Sequence, residues 1–301
     1  MNKEKPLISL ITPCYNGGGY IKPYIEGILS QTYSNVQYIF INDGSIDNTE
    51  SIILSYKNKI IEKGWEFIYI KHESNLGQSA AINHALVKVK GKYFSQIDSD
   101  DIIYPDFLER YCDFLETHNE YKFCYAKIAI ANEDSPYSPN RIQFREIDKS
   151  NNSLFEDLIK NNNIPPYPFY MIHTESFLSV VKLPVYENRG GQNWQILLPM
   201  AYHYQCGFID KVLATYIIRS NSHSRENKNI LDRHNSLKRI LYNTISRINM
   251  PDGEKHYYYD MIINYFLSKQ TIIYRLFKIP FLKIEDRKIY LFKKFKIGRI
   301  V

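Results

Sequence analysis

Four times in the first hundred residues the apolar pattern switches from a continuous strand-like run to helical spacing, and few folds accommodate that alternation. Residues 7–12 (LISLIT) are a short apolar run ended by Pro13, as expected of a strand buried on both faces. Residues 20–31 then place Tyr20, Ile21, Tyr24, Ile25, Ile28 and Leu29 at helical spacing. A second strand, 36–41, runs into Asn42-Asp43-Gly44-Ser45, and a helix is predicted from about Asp47, a natural N-cap, to Lys63. Strand 65–71, helix 77–90 and strand 93–97 follow, the last ending in Asp98-Ser99-Asp100-Asp101. This order predicts a right-handed, doubly wound α/β sheet, mostly parallel and flanked by helices. Further on, a helix is predicted at 105–118, a strand at 123–131, a helix at 192–204 and a strand at 212–219.

Composition narrows the class. With 301 residues and 44% of them hydrophobic, the chain can bury a large core and is not disordered. No run of about 18 apolar residues occurs, so no membrane-spanning helix is expected. The charged first residues lack the apolar stretch of a signal peptide, and a cytoplasmic location is the expectation. Cys14, Cys112, Cys124 and Cys206 show no metal-ligand spacing and read as buried, reduced thiols. The net charge of +6 is uneven: from Arg219 onward there are 18 Lys and Arg against 7 Asp and Glu. The chain thus reads as a mildly acidic body with a basic tail.

In an open parallel sheet, ligands bind beyond the carboxyl ends of the strands. All four strand ends here are polar: Thr12 to Asn16 followed by Gly17-Gly18-Gly19, then Asn42 to Ser45, His72 to Gly77, and Asp98 to Asp101. The three glycines make no dinucleotide fingerprint, because Lys22 stands at its third position, and no Walker lysine follows. Asp98 and Asp100, two residues apart at a strand end, suit Mn2+ or Mg2+, hard cations that share carboxylate and phosphate oxygens. Asp101 reads as a cap for the helix near Pro105.

Four segments in order, ISLITPCYN, SQTYSNVQYIFINDGSIDNT, ESNLGQSAAIN and SQIDSDDIIYPDFLE, resemble the motifs of family 2 glycosyltransferases, which have the GT-A fold. The resemblance is strong over residues 6–115 and patchy to about 224. It implies that Thr12 and Tyr15 contact base and ribose, with Tyr15 stacked on a uracil-like ring, and that Asp43 accepts the base imide proton. Asn75 and Gly77 would line the same pocket, Asp98 would meet ribose and diphosphate, and Asp100 would be the principal metal ligand. The family often has Arg or Lys one residue before Asn83, where this chain has Ile82. Arg219 or His223, in a segment similar to the family's Tyr-x-x-Arg ending, would close over the diphosphate.

The chain departs from the family at the catalytic base. Where an acidic pair is usual, it has Gln192 and Asn193 before Trp194. An amide cannot take a proton from an acceptor hydroxyl, and losing a general base commonly costs about 10² to 10⁴ in rate. Glu187 is nearest in sequence as a substitute, with His173 and His203 as alternatives. Gln192, Asn193 and Trp194 would otherwise line the acceptor pocket, the indole by stacking on a sugar face.

The expected organisation is a GT-A domain over 1–220, divided into a nucleotide-binding half (1–101) and an acceptor half (102–220), then a basic helical region over 221–301. Residues 262–301 read as a basic, aromatic, amphipathic helix able to rest on an anionic inner leaflet, or as a homo-oligomer contact. A nucleic-acid partner is not expected, for the body has no basic groove. The expected function is metal-assisted, inverting transfer of one sugar from a nucleotide donor, a UDP-sugar, to a glycan or lipid-linked hydroxyl. The alternative is a sugar-nucleotide-binding homologue without catalysis.

Overall fold

The computed structural model describes residues 4–143, 153–160, 168–186, 191–220, 230–276, 282–285, 288–291 and 295–299. The first hundred residues follow the predicted alternation: β1 (Ile8–Cys14), α1 (Ile21–Leu29), β2 (Val36–Asn42), α2 (Thr49–Ser55), α3 (Lys57–Glu62), β3 (Glu66–Lys71), α4 (Gln78–Leu86) and β4 (Tyr93–Gln96). The helix expected over 47–63 is broken at Tyr56 into α2 and α3. After these come β5 (Ile102–Ile103), α5 (Phe107–Thr117), β6 (Phe123–Asn132), β7 (Arg141–Gln143), α6 (Ser153–Lys160), β8 (Tyr170–His173), α7 (Thr174–Val180), α8 (Gln192–His203) and β9 (Cys206–Ile218). The chain continues with α9 (Ile230–Arg247), α10 (Asp252–Leu276), β10 (Leu282–Glu285), β11 (Lys288–Leu291) and β12 (Phe295–Arg299).

The main sheet has the order β3-β2-β1-β4-β8-β6-β9-β5, with β7 on the side of β6. Strands β3, β2, β1 and β4 are mutually parallel, and so is the long β6–β9 pair. The short β8 enters antiparallel between β4 and β6 and joins the two parts. Alternate strand residues separate two cores, one on each face. Ile8, Leu10, Tyr38 and Phe40 pack with α1 and α5, whereas Ile11, Ile39 and Ile41 pack with α4, α6 and α8. All four cysteines are free and buried, as expected of structural thiols.

The second core also receives α9 and α10 through Leu241, Ile245, Ile248, Ile262 and Phe266. Arg247 Nη2 donates to the carbonyls of Lys182 and Pro184, at 2.6 and 2.7 Å, fixing α9 against the segment that leads to α8. Residues 282–285, 288–291 and 295–299 form an antiparallel sheet, β10-β11-β12, which corrects the expectation of a continuous basic helix to the end of the chain. The cause is visible in LKIE, KIYL and FKIGR, where polar and apolar residues alternate with period two and β-branched or aromatic side chains are frequent. No described helix is long and apolar enough to cross a membrane.

Two glycines set how closely the strand-end loops approach. At Gly18 an added Cβ would lie 1.7 Å from Asn48 Oδ1, and at Gly44, whose φ is +71°, it would lie 2.3 Å from the Ser74 carbonyl carbon. The turn after β2 therefore abuts the turn after β3 with no room for a side chain. Gly44→Ala adds a disfavoured φ, worth about 1–3 kcal/mol, to this clash. Thermal unfolding should show a clear fall in Tm for Gly44→Ala, whereas Gly64→Ala, at φ +81° but with open space around it, pays only for the backbone.

Candidate active site

The ends of β1, β2 and β4 lie on one side of the sheet, and Asp43 ties together the loops after β1, β2 and β3. It is buried, and its backbone N–H donates to Cys14 O at 2.8 Å. Its Oδ1 accepts from Leu76 N at 2.9 Å and lies 2.7 Å from His72 Nδ1, while Oδ2 accepts from Gly77 N at 2.9 Å. His72 Nε2 in turn lies 2.7 Å from Nδ1 of the exposed His84. Gly77, at φ +93°, then opens α4. Asp43 thus shapes the loop that carries Asn75, and the half-buried Tyr15 and Asn75 stand at the edges of the same cleft. The glycine turn after β1 is secured by Asp47, which accepts from Gly18 N at 2.8 Å and from Thr49 N at 3.0 Å.

The acidic cluster follows β4. Asp98 Oδ1 accepts from Gln78 Nε2 at 2.7 Å and from Gln96 Nε2 at 3.4 Å. Burial, and next the neighbouring Asp100 charge, push the Asp98 carboxyl from 3.8 up to about 7, against the pull of those amides. Asp101 does not cap the following helix. It is buried, its Oδ1 accepts from Ile217 N at 2.9 Å, and its Oδ2 has no hydrogen-bond partner among the described residues. Burial and the Asp100 and Asp98 charges raise its carboxyl well above the ordinary range, and through Ile217 N it holds β9 to the cluster.

Arg219 reaches this region from the end of β9. Its guanidinium carbon lies 3.4 Å from the centre of the Tyr20 ring, its Nε is 3.8 Å from Glu133 Oε2, and its Nη1 is buried without a partner. The negative face of the ring quadrupole attracts the cation and holds it there. Tyr20 feels both the Asp100 and the Arg219 charges, so the cation stands beside the acidic cluster. Cys14, beneath the same loops, has its thiol pushed up to about 12 by burial and is no nucleophile.

The acceptor-side residues arrive on α8, whose N-terminus is set by Gly191 at φ +76°. Asn193 is buried, and Tyr170 Oη donates toward both its Oδ1 and Gln96 Oε1, each 3.2 Å away. A continuous polar path thus runs from Asn193 through Tyr170 and Gln96 to Asp98. Sequence reasoning missed both: Gln96 lies within the quoted SQIDSDD segment but was given no role, and Tyr170 belongs to no motif on a strand, β8, of only four residues. Gln195 Nε2 and Oε1 hold the backbone of Tyr186 at 2.9 and 2.6 Å, and Asn83 holds that of Val185 at 3.0 and 2.8 Å.

Several expected contacts are corrected. Thr12 is wholly buried and its hydroxyl pairs with Tyr24, so it packs behind the cleft. Trp194 is 6% exposed and its indole N–H donates to Leu158 O at 2.9 Å, which makes it a core anchor rather than a stacking platform. His173 pairs in register with Tyr93, at the end of β4 away from Asp98, and it caps α7. His203 lies in the last turn of α8, roughly 15 Å along the helix from Asn193. Neither histidine reaches the acidic cluster as a base. Gln192 is buried at the start of α8, and Ile82 is buried in α4, so no cation extends from that position. Glu187 and His223 lie outside the described residues.

The donor set fits a hard divalent cation. Asp98 and Asp100 supply carboxylate oxygens, and the raised Asp98 carboxyl marks negative charge that a cation would relieve. Among the described residues no group of three or more His, Cys, Asp or Glu forms a closed metal cage. Such an ion would take its remaining ligands from diphosphate and water.

These features lie at the carboxyl edge of a GT-A sheet, and residues 9–215 match the model of the family described as Glycosyl transferase family 2. The chain belongs to that family. An uncharacterized glycosyltransferase of Rickettsia typhi is 40% identical over 114 residues, 38% of this chain and 33% of the relative, so the chain spans about a third of that relative's length. TarS from S. aureus (residues 1–349), solved with UDP-GlcNAc, is 18% identical with a TM-score of 0.67, over 90% of this chain and 76% of that one. The Pyrobaculum calidifontis mannosyltransferase PcManGT, solved with GDP-Man and Mn2+, is 11% identical with a TM-score of 0.57, over 89% and 76%. Both likenesses are of fold.

The raised Asp98 carboxyl carries a linkage consequence. Because the folded-state value of about 7 exceeds the unfolded value of 3.8, the unfolded chain releases this proton first. Native stability therefore declines as pH rises through that window. In EDTA, Tm of the wild type relative to Asp98→Asn should fall between pH 4 and 7, and added Mn2+ should recover it at pH 7. A pH-independent difference would contradict the charge crowding.

Proposed function

We propose that the protein transfers a single sugar from a UDP-sugar to a hydroxyl of a glycan or lipid-linked acceptor, with inversion at the anomeric carbon. The observation that carries this reading is the polar path that joins the carboxylates after β4 to Asn193, at the usual position of the base, on one edge of the sheet. The working unit is residues 1–220, with 1–101 taking the donor and 102–220 the acceptor. Tyr15 stacks on the base, Asn75 and Gly77 border it, and Asp43 sets the loop and accepts the imide proton.

Asp98 and Asp100 hold Mn2+ or Mg2+, whose chemistry is to neutralise the diphosphate as it leaves. Arg219, kept in place by Tyr20, would add positive charge for the leaving group, and His223 is the other candidate for that role. Gln192 and Asn193 orient the acceptor hydroxyl by hydrogen bonds. Glu187, four residues before Gly191, takes the proton. The pathway this suits is assembly of cell-surface polysaccharide or lipopolysaccharide, with the basic residues of 262–301 favouring an anionic membrane surface.

A second reading, a sugar-nucleotide binder that does not turn over, is favoured by one observation, the amide at Asn193. Calorimetric titration of UDP, GDP and dTDP with Mn2+ tests the donor site: UDP should bind, and Asp100→Ala should abolish the metal-dependent part. If no nucleotide binds, the functional reading fails. UDP release that needs both metal and acceptor would exclude the binder. Asn193→Asp places a carboxylate on the path to Tyr170; in a binder lacking only its base it should create turnover, and in an enzyme that uses Glu187 it should not raise the rate by more than about tenfold.

A further inference from the structure

Outside the cleft just described, α9, α10 and Tyr186 line an open surface cavity of about 750 Å³. That is within the range of about 300–1,000 Å³ typical of small-ligand sites. Its walls carry two cations, Lys238 and Arg239, and no carboxylate. Among the described residues neither cation has an ion-pair partner. The rings of Tyr242 and Tyr259 lie in the same walls, stacked with centroids 4.8 Å apart and an interplanar angle of 22°, and Lys238 Nζ lies 5.7 Å from the Tyr242 centroid. Asn243 and Ser246 also line the cavity, the Ser246 hydroxyl donating to the Asn243 backbone carbonyl at 2.7 Å.

Stacked rings offer a face to the C–H side of a sugar, amide and hydroxyl groups match ring hydroxyls, and unpaired Lys and Arg match a local anion. Two cations at one spot fit a single charged group better than the long track that a nucleic-acid backbone requires. The cavity is also mechanically tied to the acceptor helix. Tyr186, in its wall, is held through its backbone by Gln195, two residues from Asn193 on α8.

We propose that this cavity binds the negatively charged part of the acceptor, a glycan bearing phosphate or carboxylate, and presents its hydroxyl end toward Asn193. The glycan's role as acceptor rests on the transferase reading above; its binding here does not.

The full chain would be titrated by calorimetry with three probes: oligogalacturonate for carboxylate, mannose 6-phosphate for phosphate, and neutral maltohexaose. One or both charged probes should bind, more weakly as salt is raised, and at least about tenfold tighter than maltohexaose. Lys238→Ala/Arg239→Ala should lose that preference by about tenfold or more while UDP binding stays unchanged. The exposed Tyr186→Ala should weaken charged and neutral probes alike. Equal binding of charged and neutral probes, no binding of either charged probe, unchanged binding in the double variant, or tighter binding of a single-stranded oligonucleotide would each overturn the proposal. Failure of UDP to bind the wild type would remove the transferase reading and leave the glycan result legible.

Discussion

Three carboxylates from one tetrapeptide meet at the end of β4, and most of the surrounding structure answers their mutual repulsion. In a partly dry site, like charges a few ångströms apart cannot all ionise at little cost. Asp101, its carboxyl raised first by burial and then by the neighbouring charges, accepts from Ile217 N and so draws in the strand that leads to Arg219. Asp98 is moderated by amides from Gln78 and Gln96, and Arg219 stands nearby on the Tyr20 ring. A cluster so arranged is incomplete in charge, and a divalent cation with a diphosphate is the natural complement.

The same edge of the sheet joins two dissimilar halves. Strands β1 to β4 form a parallel unit whose loops are fastened to one another by Asp43 and Asp47. Beyond β8 the sheet is mixed, and the side chains that face the cluster come from helix α8 and from the end of β9. The narrow bridge between the halves is Tyr170, on the strand that makes the sheet continuous. One short strand therefore carries both the fold's continuity and the polar connection across the site.

What was legible in the sequence follows from this division. The parallel half could be read because each strand is a continuous apolar run and each helix a periodic one, with strand ends marked by polar clusters. Asp98 and Asp100 were singled out for that reason. Strand β8 was missed because it has only four residues and follows a proline-rich stretch with no period of its own. Trp194 was misjudged because an indole beside two amides has the same local sequence whether it faces a sugar or the core; only the carbonyl of Leu158 on α6 decides. The tail was read as helical because basic and aromatic residues interleave in either structure, and the period-two alternation in its short segments was given too little weight. Asp43 stood out at a polar strand end, but its hold on Leu76, Gly77 and His72 comes from residues about thirty positions away, which no local pattern can show.

The two imidazoles behind Asp43 carry its contacts outward. His72 Nδ1 lies 2.7 Å from Asp43 Oδ1 and its Nε2 lies 2.7 Å from Nδ1 of His84, whose ring stands at the surface. The loop clamp is thus continued, ring nitrogen to ring nitrogen, from a buried carboxylate to an imidazole in contact with solvent.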